Sequence, residues 1–392
     1  MISIWELFSE NYIFSNFLSW LLSLWFVWLP AGLAFAFWEL WLNAIRKKFL
    51  RNMQCVLLEI KVPRDIIKSP KAMETVLNSL YTTFAGNWWA RSIKGYLPTY
   101  YSLEMVGING SVHFFIYTQK GFRNLVESQI YSQYPDAEIS EVSDYSYASD
   151  FENRENWNMW GAELGLTKED PYPLRTYIDF DLQMPLLKEE QKVNPIASFV
   201  EFLGSLKQGE QVWIQILIKG ASGKDWIEKA KKLIAKLLEE AKTESGEKRP
   251  FLTEGERDTI KAIEKNVSKL GFETGIRIIY MAKKEVFNQL TVPSIIGLLN
   301  QYSSQTLNGF KPANSTASKQ PFKQFRENLR KKKMLKAYQP RGYFYRPNKR
   351  KHFVLNTEEL ATIYHFPGRV AETPTFARVE TKKGEPPAAL PI

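Results

Sequence analysis

The chain has 392 residues, is rich in aromatics (12 Trp, 18 Tyr, 25 Phe) and carries 52 Lys and Arg against 42 Asp and Glu, a net charge of +10. A single cysteine, Cys55, excludes an internal disulfide. His113, His352 and His365 lie far apart with no Cys or His partner at metal-ligand spacing, which points to a reducing compartment and against a structural zinc site.

The excess of positive charge is local. Between Lys319 and Lys351 there are 13 bases and one acid, Glu327, leaving 39 bases and 41 acids for the rest of the chain. Whatever anion this charge serves is therefore expected to meet that stretch.

Residues 13–42 form an almost unbroken apolar run, longer than the roughly 20 residues a helix needs to cross the hydrocarbon core. It is too long for the hydrophobic region of a signal peptide, and no basic segment precedes it. Arg46, Lys47, Lys48 and Arg51 follow directly, whereas Glu6 and Glu10 are the charges before it. The sequence thus predicts a single-pass anchor over residues 1–50 in the inner (cytoplasmic) membrane, with the N-terminus outside and the body cytoplasmic. Trp20, Trp25, Trp28, Trp38 and Trp41 are its aromatic anchors. Trp38 and Trp41 suit the cytoplasmic interface, Trp25 and Trp28 suit mid-span contacts, and Pro30 with Gly32 predicts a kink. A hairpin turning at 30–32 is the alternative to one crossing.

A first block over residues 51–145 reads as β-α-β-β-α-β. Residues 54–62 predict a strand. Ser69 and Pro70 start a helix that carries Met73, Val76, Leu77, Leu80 and Phe84 at helical spacing. Residues 100–106 and 112–117 predict two strands around a Gly107–Gly110 turn, and a helix with Phe122, Leu125, Val126 and Ile130 on one face leads into a strand at 137–142. This order is the split-βαβ, ferredoxin-like pattern.

Residues 144–173 read as a connector. A second α+β domain, possible as a further ferredoxin-like unit, is placed over residues 146–310. It has strands at 176–182, 211–219 and 274–282 and helices at 195–206, 226–241, 253–270 and 286–300. Residues 308–319 have the composition of a solvated loop, 321–338 of a basic helix, and 372–392 of a Pro-rich tail. The fold class predicted is therefore α+β, a transmembrane helix followed by two α+β domains and a basic segment at 311–371.

No catalytic apparatus is legible. The nearest approach to a phosphate-binding loop, Gly220-Ala-Ser-Gly-Lys224, has Ile218 and Asp225 where that motif needs Gly and Ser or Thr, and it reads as a strand-to-helix turn. No cofactor is expected. The stretch with chemical content is the basic one: Arg330, Lys331, Lys332, Lys333, Arg341, Arg346, Lys349, Arg350 and Lys351, interleaved with Phe325, Tyr338, Tyr343, Phe344 and Tyr345. Cations neutralise phosphates and aromatics stack on unpaired bases, so nucleic acid is one reading; anionic lipid and protein docking are the others.

Several segments together resemble the N-terminal, non-motor region of membrane-anchored conjugation and type IV secretion coupling-protein-like ATPases of candidate-phylum bacteria. They are Ser69-Pro-Lys-Ala-Met-Glu74, Tyr101-Ser-Leu-Glu104, Phe122-Arg-Asn-Leu-Val-Glu127, Gln129-Ile-Tyr-Ser-Gln-Tyr-Pro-Asp-Ala-Glu138, Leu355-Asn-Thr-Glu-Glu-Leu360 and His365-Phe-Pro-Gly368. In such relatives a nucleotide-hydrolysing motor follows; here the sequence ends at Ile392. The resemblance thus implies a non-catalytic, membrane-anchored subunit of a DNA- or protein-transfer machine. Its partners would be the bilayer, a motor ATPase supplied in trans, DNA and further copies of itself. A membrane-associated scaffold unrelated to DNA is the alternative.

Overall fold

The computed structural model describes residues 23–63, 68–84, 86–148, 156–180, 194–243 and 252–367. The chain divides into two compact units, Met1–Met53 with Ala85–Leu97, and Gln54–Phe84 with Pro98–Ile392.

The first unit is built on α1 (Trp25–Asn52), a helix that continues through Pro30 and has no buried residue. Its 28 residues span about 42 Å at 1.5 Å per residue, more than the ~30 Å hydrocarbon core. Among the described residues it is the one helix long and apolar enough to cross a membrane. The hairpin alternative at 30–32 is not formed, and the helix runs ten residues past the predicted end at 42, so Arg46, Lys47, Lys48 and Arg51 are helical. Trp25, Trp28, Trp38 and Trp41 are exposed; Trp20 lies outside the described residues.

Within the same unit, a short helix α3 (Trp88–Ser92) begins where the Asn87 side chain accepts a hydrogen bond from the Ala90 amide at 2.8 Å. Trp88 stacks on Trp38 with ring centroids 6.3 Å apart, and the Trp41 indole donates to the Ser92 carbonyl at 3.3 Å. Gly95 has a positive φ, and a Cβ there would overlap the Ile45 backbone, so only glycine lets this segment lie so close to α1.

The second unit is organised by one antiparallel sheet. Its strands are β1 (Cys55–Lys61), β2 (Tyr101–Ile108), β3 (Ser111–Gln119), β4 (Glu138–Glu141), β5 (Trp157–Leu166), β6 (Glu210–Gly220), β7 (Gly271–Lys283) and β8 (Phe310–Ser315). Their order is β4-β1-β3-β2-β6-β7-β5-β8, and β9 (Phe353–Asn356) pairs with β7. This is the mixed α+β class that the hydrophobic patterning predicts.

One face buries the even-numbered positions of β1, Val56, Leu58 and Ile60, with Phe114, Ile116, Ile214, Ile216, Ile276 and Ile278 from neighbouring strands. Helices α2 (Lys71–Leu80), α4 (Arg123–Gln133), α6 (Pro195–Gly204) and α11 (Thr357–Ile363) contribute Met73, Leu77, Val126, Ile130, Phe199, Leu203 and Leu360 to that core. The opposite face buries Leu57, Val106, Phe115, Trp213, Ile279 and Met281 beneath α10 (Lys323–Tyr338). The central strands are thus covered on both sides, since successive side chains point to opposite faces.

The structure corrects several boundaries. The two predicted α+β domains share a single sheet, because β2 pairs with β6 from Tyr101↔Ile218 to Ile108↔Gln211. No domain border falls at 145. The predicted connector holds β5, which pairs with β7 and β8, and the predicted loop at 308–319 holds β8. Turn signals flank β5 and polar residues fill β8, and both strands gain their partners from distant sequence. The predicted strand at 176–182 falls partly outside the described residues, and its described part is a turn. The basic segment is not separate either, since it supplies β8, α10, β9 and α11. The predicted tail at 372–392 lies outside the described residues.

Candidate polyanion-binding surface

Helix α10 is held by one stripe. Met334, Ala337 and Tyr338 are buried at i, i+3 and i+4 spacing, and Met334 and Tyr338 pack with Met159, Trp213, Ile279 and Met281. Burying side chains of this size stabilises by about 1.5–3 kcal/mol each. A Cβ at Gly161 on β5 would overlap the Met334 sulfur, so the glycine leaves room for that side chain. The rest of α10 faces water: Lys323, Arg326, Arg330, Lys332, Lys333 and Lys336 are exposed, as are Phe325 and Leu329.

The exposed cations are tied to carbonyls rather than to acids. Arg330 donates to the Ala317 carbonyl at 2.7 Å, and Arg326 to the Pro321 carbonyl at 3.0 Å. Glu327, the one acid on the helix, accepts from the Ser318 amide at 3.1 Å. Among the described residues, no carboxylate stands within ion-pair distance of Arg330, Lys332 or Lys333. Among the described residues, their positive potential is not offset by a paired acid.

Beside α10, Trp157, Asn158, Lys284, Asn328, Lys331 and Lys332 line a cleft of about 200 Å³. Lys331 is half-buried and donates to Asn158 Oδ1 at 2.9 Å. Burial lowers its pKa from the ordinary ammonium value, opposed by Glu327. An arriving anion would restore part of the solvation that Lys331 has lost.

Two of the predicted ligands belong to the interior. On the face beneath α10 a polar row crosses the sheet: Glu104 is paired in register with Gln215, Gln215 with Arg277, and Arg277 with Glu163. Arg277 donates to Gln215 Oε1 at 3.0 Å and to Glu163 Oε1 at 3.1 Å. The segment after α10 lies on this row. Arg341 is fully buried, donates to both Glu104 oxygens at 3.0 Å and also grips Asp144. Arg350 donates to Glu163 at 3.1 Å. Burial works against the charge of Arg341, but Glu104 and its other neighbours more than offset it and hold its pKa well above the ordinary arginine value. The hydroxyl of Tyr145 donates to Glu104 at 2.8 Å and lies 2.6 Å from that of Tyr338.

The nine bases that sequence reasoning grouped are therefore divided. Arg341 and Arg350 lock the C-terminal segment onto the sheet; Arg330, Lys332 and Lys333 face water on α10; Lys331 lines the cleft; Arg346, Lys349 and Lys351 are exposed on the loop that follows. The expected base-stacking aromatics are likewise mostly internal. Tyr338, Tyr343 and Phe344 are buried, and Tyr343 lies against Gly275, where any Cβ would overlap its ring; only Phe325 stands clear. Sequence reasoning missed Glu104, Glu163 and Arg277, whose signal was a lone charge inside an apolar strand run. It also missed Lys284 and Trp157, which only tertiary contact brings to the cleft.

The histidines take separate structural partners: Glu59 for His113, Glu273 for His352 and Asn194 for His365. Gly220, in the near-miss phosphate loop, ends β6, and a Cβ there would overlap the Thr82 carbonyl; the segment is a strand-to-helix turn leading into α7 (Gly223–Thr243). Among the described residues, no group of three or more His, Cys, Asp or Glu is arranged to hold a metal ion.

The family model described as Domain of unknown function (DUF8128) matches residues 45–379. The chain belongs to the DUF8128 family. No curated protein matches it. The DUF8128 match starts at Ile45, in the second half of α1, and takes in β1 to β9, α3 and α10. The polar row, the cleft and the cationic helix are thus all parts of the DUF8128 region, whereas most of the apolar part of α1 precedes it.

Proposed function

We propose that this DUF8128 protein is a membrane-anchored, non-catalytic platform that presents a cationic helix to DNA. In this reading it serves a conjugation- or type IV secretion-like transfer machine driven by a motor ATPase. Helix α1 spans the cytoplasmic membrane with the N-terminus outside, and Arg46, Lys47, Lys48 and Arg51 stay on the inner side. The observation that carries the nucleic-acid reading is the exposed face of α10, where Arg330, Lys332 and Lys333 have no carboxylate partner among the described residues while the buried stripe fixes the helix to the sheet. Cations held on a rigid element engage phosphates at lower entropic cost than cations on a mobile tail. The resemblance to coupling-protein-like ATPases supports the setting.

The test is titration of a labelled oligonucleotide with the full chain in detergent micelles at low salt. Replacing Arg330, Lys332 and Lys333 together with Ala leaves the buried stripe and the Lys331–Asn158 bond intact. Affinity is expected to fall at least tenfold. Absence of binding by the parent protein, or binding unchanged in the triple variant, would overturn the reading. A second reading rests on the exposed Phe322, Phe325 and Leu329 beside these cations, an apolar and basic face suited to anionic lipid. It is favoured if the triple variant loses affinity for anionic vesicles and the parent shows none for the oligonucleotide.

A further inference from the structure

Segment 85–97, which carries α3, has surface chemistry that its own unit does not explain. Trp88 is 55% and Trp89 64% exposed, Ile93 is 48% exposed, and the two indoles meet edge to face with centroids 5.2 Å apart. Each Trp carries about 150–250 Å² of largely apolar surface, so a contiguous pair left in water is unfavourable. The segment contains Arg91 and Lys94 and no acid.

The segment is also fixed to α1 at a particular height. Trp38 stacks on Trp88, the Trp41 indole donates to the Ser92 carbonyl, and Phe49 meets Tyr96 edge to face at 5.7 Å. Trp38 and Trp41 close the apolar run that ends at 42, and Arg46, Lys47, Lys48 and Arg51 follow within about 15 Å along the helix. That height, apolar on one side and basic on the other, is where Trp is enriched in membrane proteins.

We infer that segment 85–97 is a second membrane-contacting element. Trp88, Trp89 and Ile93 lie in the headgroup–acyl boundary of the leaflet that α1 leaves, and Arg91 and Lys94 meet anionic headgroups. The inference rests on the reading of α1 as a membrane span. Lipid is the occupant because the exposed indoles continue the exposed apolar surface of α1, and because six cations at this level (Arg46, Lys47, Lys48, Arg51, Arg91 and Lys94) complement an anionic leaflet. With two attachments at one interface, rotation of α1 about its axis becomes restricted.

The experiment uses the full chain reconstituted into phosphatidylcholine–phosphatidylglycerol vesicles. Cys55 is replaced by Ser, and an environment-sensitive fluorophore is attached to a single new cysteine in Trp89→Cys or, as reference, in Phe35→Cys within α1. Nitroxide lipids report depth. The Trp89→Cys probe is expected to be quenched at least threefold more by a headgroup-proximal nitroxide than by one deep in the acyl chains, with the opposite ranking for Phe35→Cys. Quenching of the Trp89→Cys probe by aqueous iodide alone, with the Phe35→Cys probe still deep, overturns the interfacial role and leaves the anchor standing. Iodide quenching of both probes overturns both. Protection of the Trp89→Cys probe from lipid and aqueous quenchers alike means that protein covers the site, and also overturns it. The wild-type chain gives a check free of substitutions: hydroxyl-radical oxidation in vesicles should spare Trp88 and Trp89 relative to exposed Tyr147, and equal oxidation would sink the proposal.

Discussion

Arg341 shows how far a residue's role can lie from its composition. It stands in the most basic stretch of the chain, yet its guanidinium is buried between Glu104 and Asp144. Removing one partner of a buried pair leaves the other charged and unpaired, at a cost of about 3–5 kcal/mol. Arg341→Ala is therefore expected to lower unfolding free energy by about that amount in chemical denaturation. A loss below about 1 kcal/mol would mean the row is not held by this pair. Glu359 gives a second prediction at this scale. Burial raises its pKa to about 8 even though it accepts hydrogen bonds from the Leu174 and Asn356 amides. The folded chain thus keeps a proton that the unfolded chain has released above the ordinary carboxylate pKa of 4.5. Stability from this group is present at low pH and falls as pH rises through the window from 4.5 to about 8. Glu359→Gln should flatten that part of the stability–pH profile in denaturant titrations; an unchanged slope would place its origin elsewhere.

At the scale of elements, α10 is one helix with two jobs on opposite faces. The stripe of Met334, Ala337 and Tyr338 belongs to the core, and Arg330, Lys332 and Lys333 face water, where the proposed function places the nucleic acid. The triple substitution to Ala should leave the thermal transition in place while making the salt dependence of oligonucleotide binding shallower by about 2 to 3 in log–log slope, one phosphate contact per cation. A collapse of the transition itself would show that these side chains are structural. The segments that carried the family resemblance are likewise explained by contacts inside elements and between them. Glu74 accepts from Lys269 at 2.6 Å, Asn356 and Glu359 form the capping box of α11, and Phe366 packs edge to face on Tyr134 at 5.0 Å. Side chains with such duties hold the fold together and name no activity.

For the molecule as a whole, the shared sheet is the decisive fact. The β-α-β-β-α-β order of the first block was legible, and its strands lie in the order β4-β1-β3-β2, but β2 is an interior strand of a larger sheet. A fragment of residues 54–145 would expose the β2 edge, lose Gln215 and Arg341 from Glu104, and uncover Phe115 and Tyr145. It is expected to show no cooperative thermal transition and to aggregate; a sharp two-state melt would restore the domain border to 145. The outer edges are differently protected. β8 carries Lys311 and Pro312, and β4 is four residues long with Glu138 and Glu141 at its ends, features that discourage strand addition. Self-association, if it occurs, is therefore better sought away from the sheet edges.

The linear sequence determined what depends on local pattern. The apolar length of α1, the short apolar runs of β1, β3, β6 and β7, and the helical spacing of the apolar residues in α2 and α4 are readable because these patterns act over a few residues. The tertiary structure alone decided which charges remain available. A lysine and an arginine ten residues apart are equivalent in composition. One ends in water and the other against Glu104 because carboxylates from distant strands arrive at one place and not at the other, and burial makes that difference worth several kcal/mol.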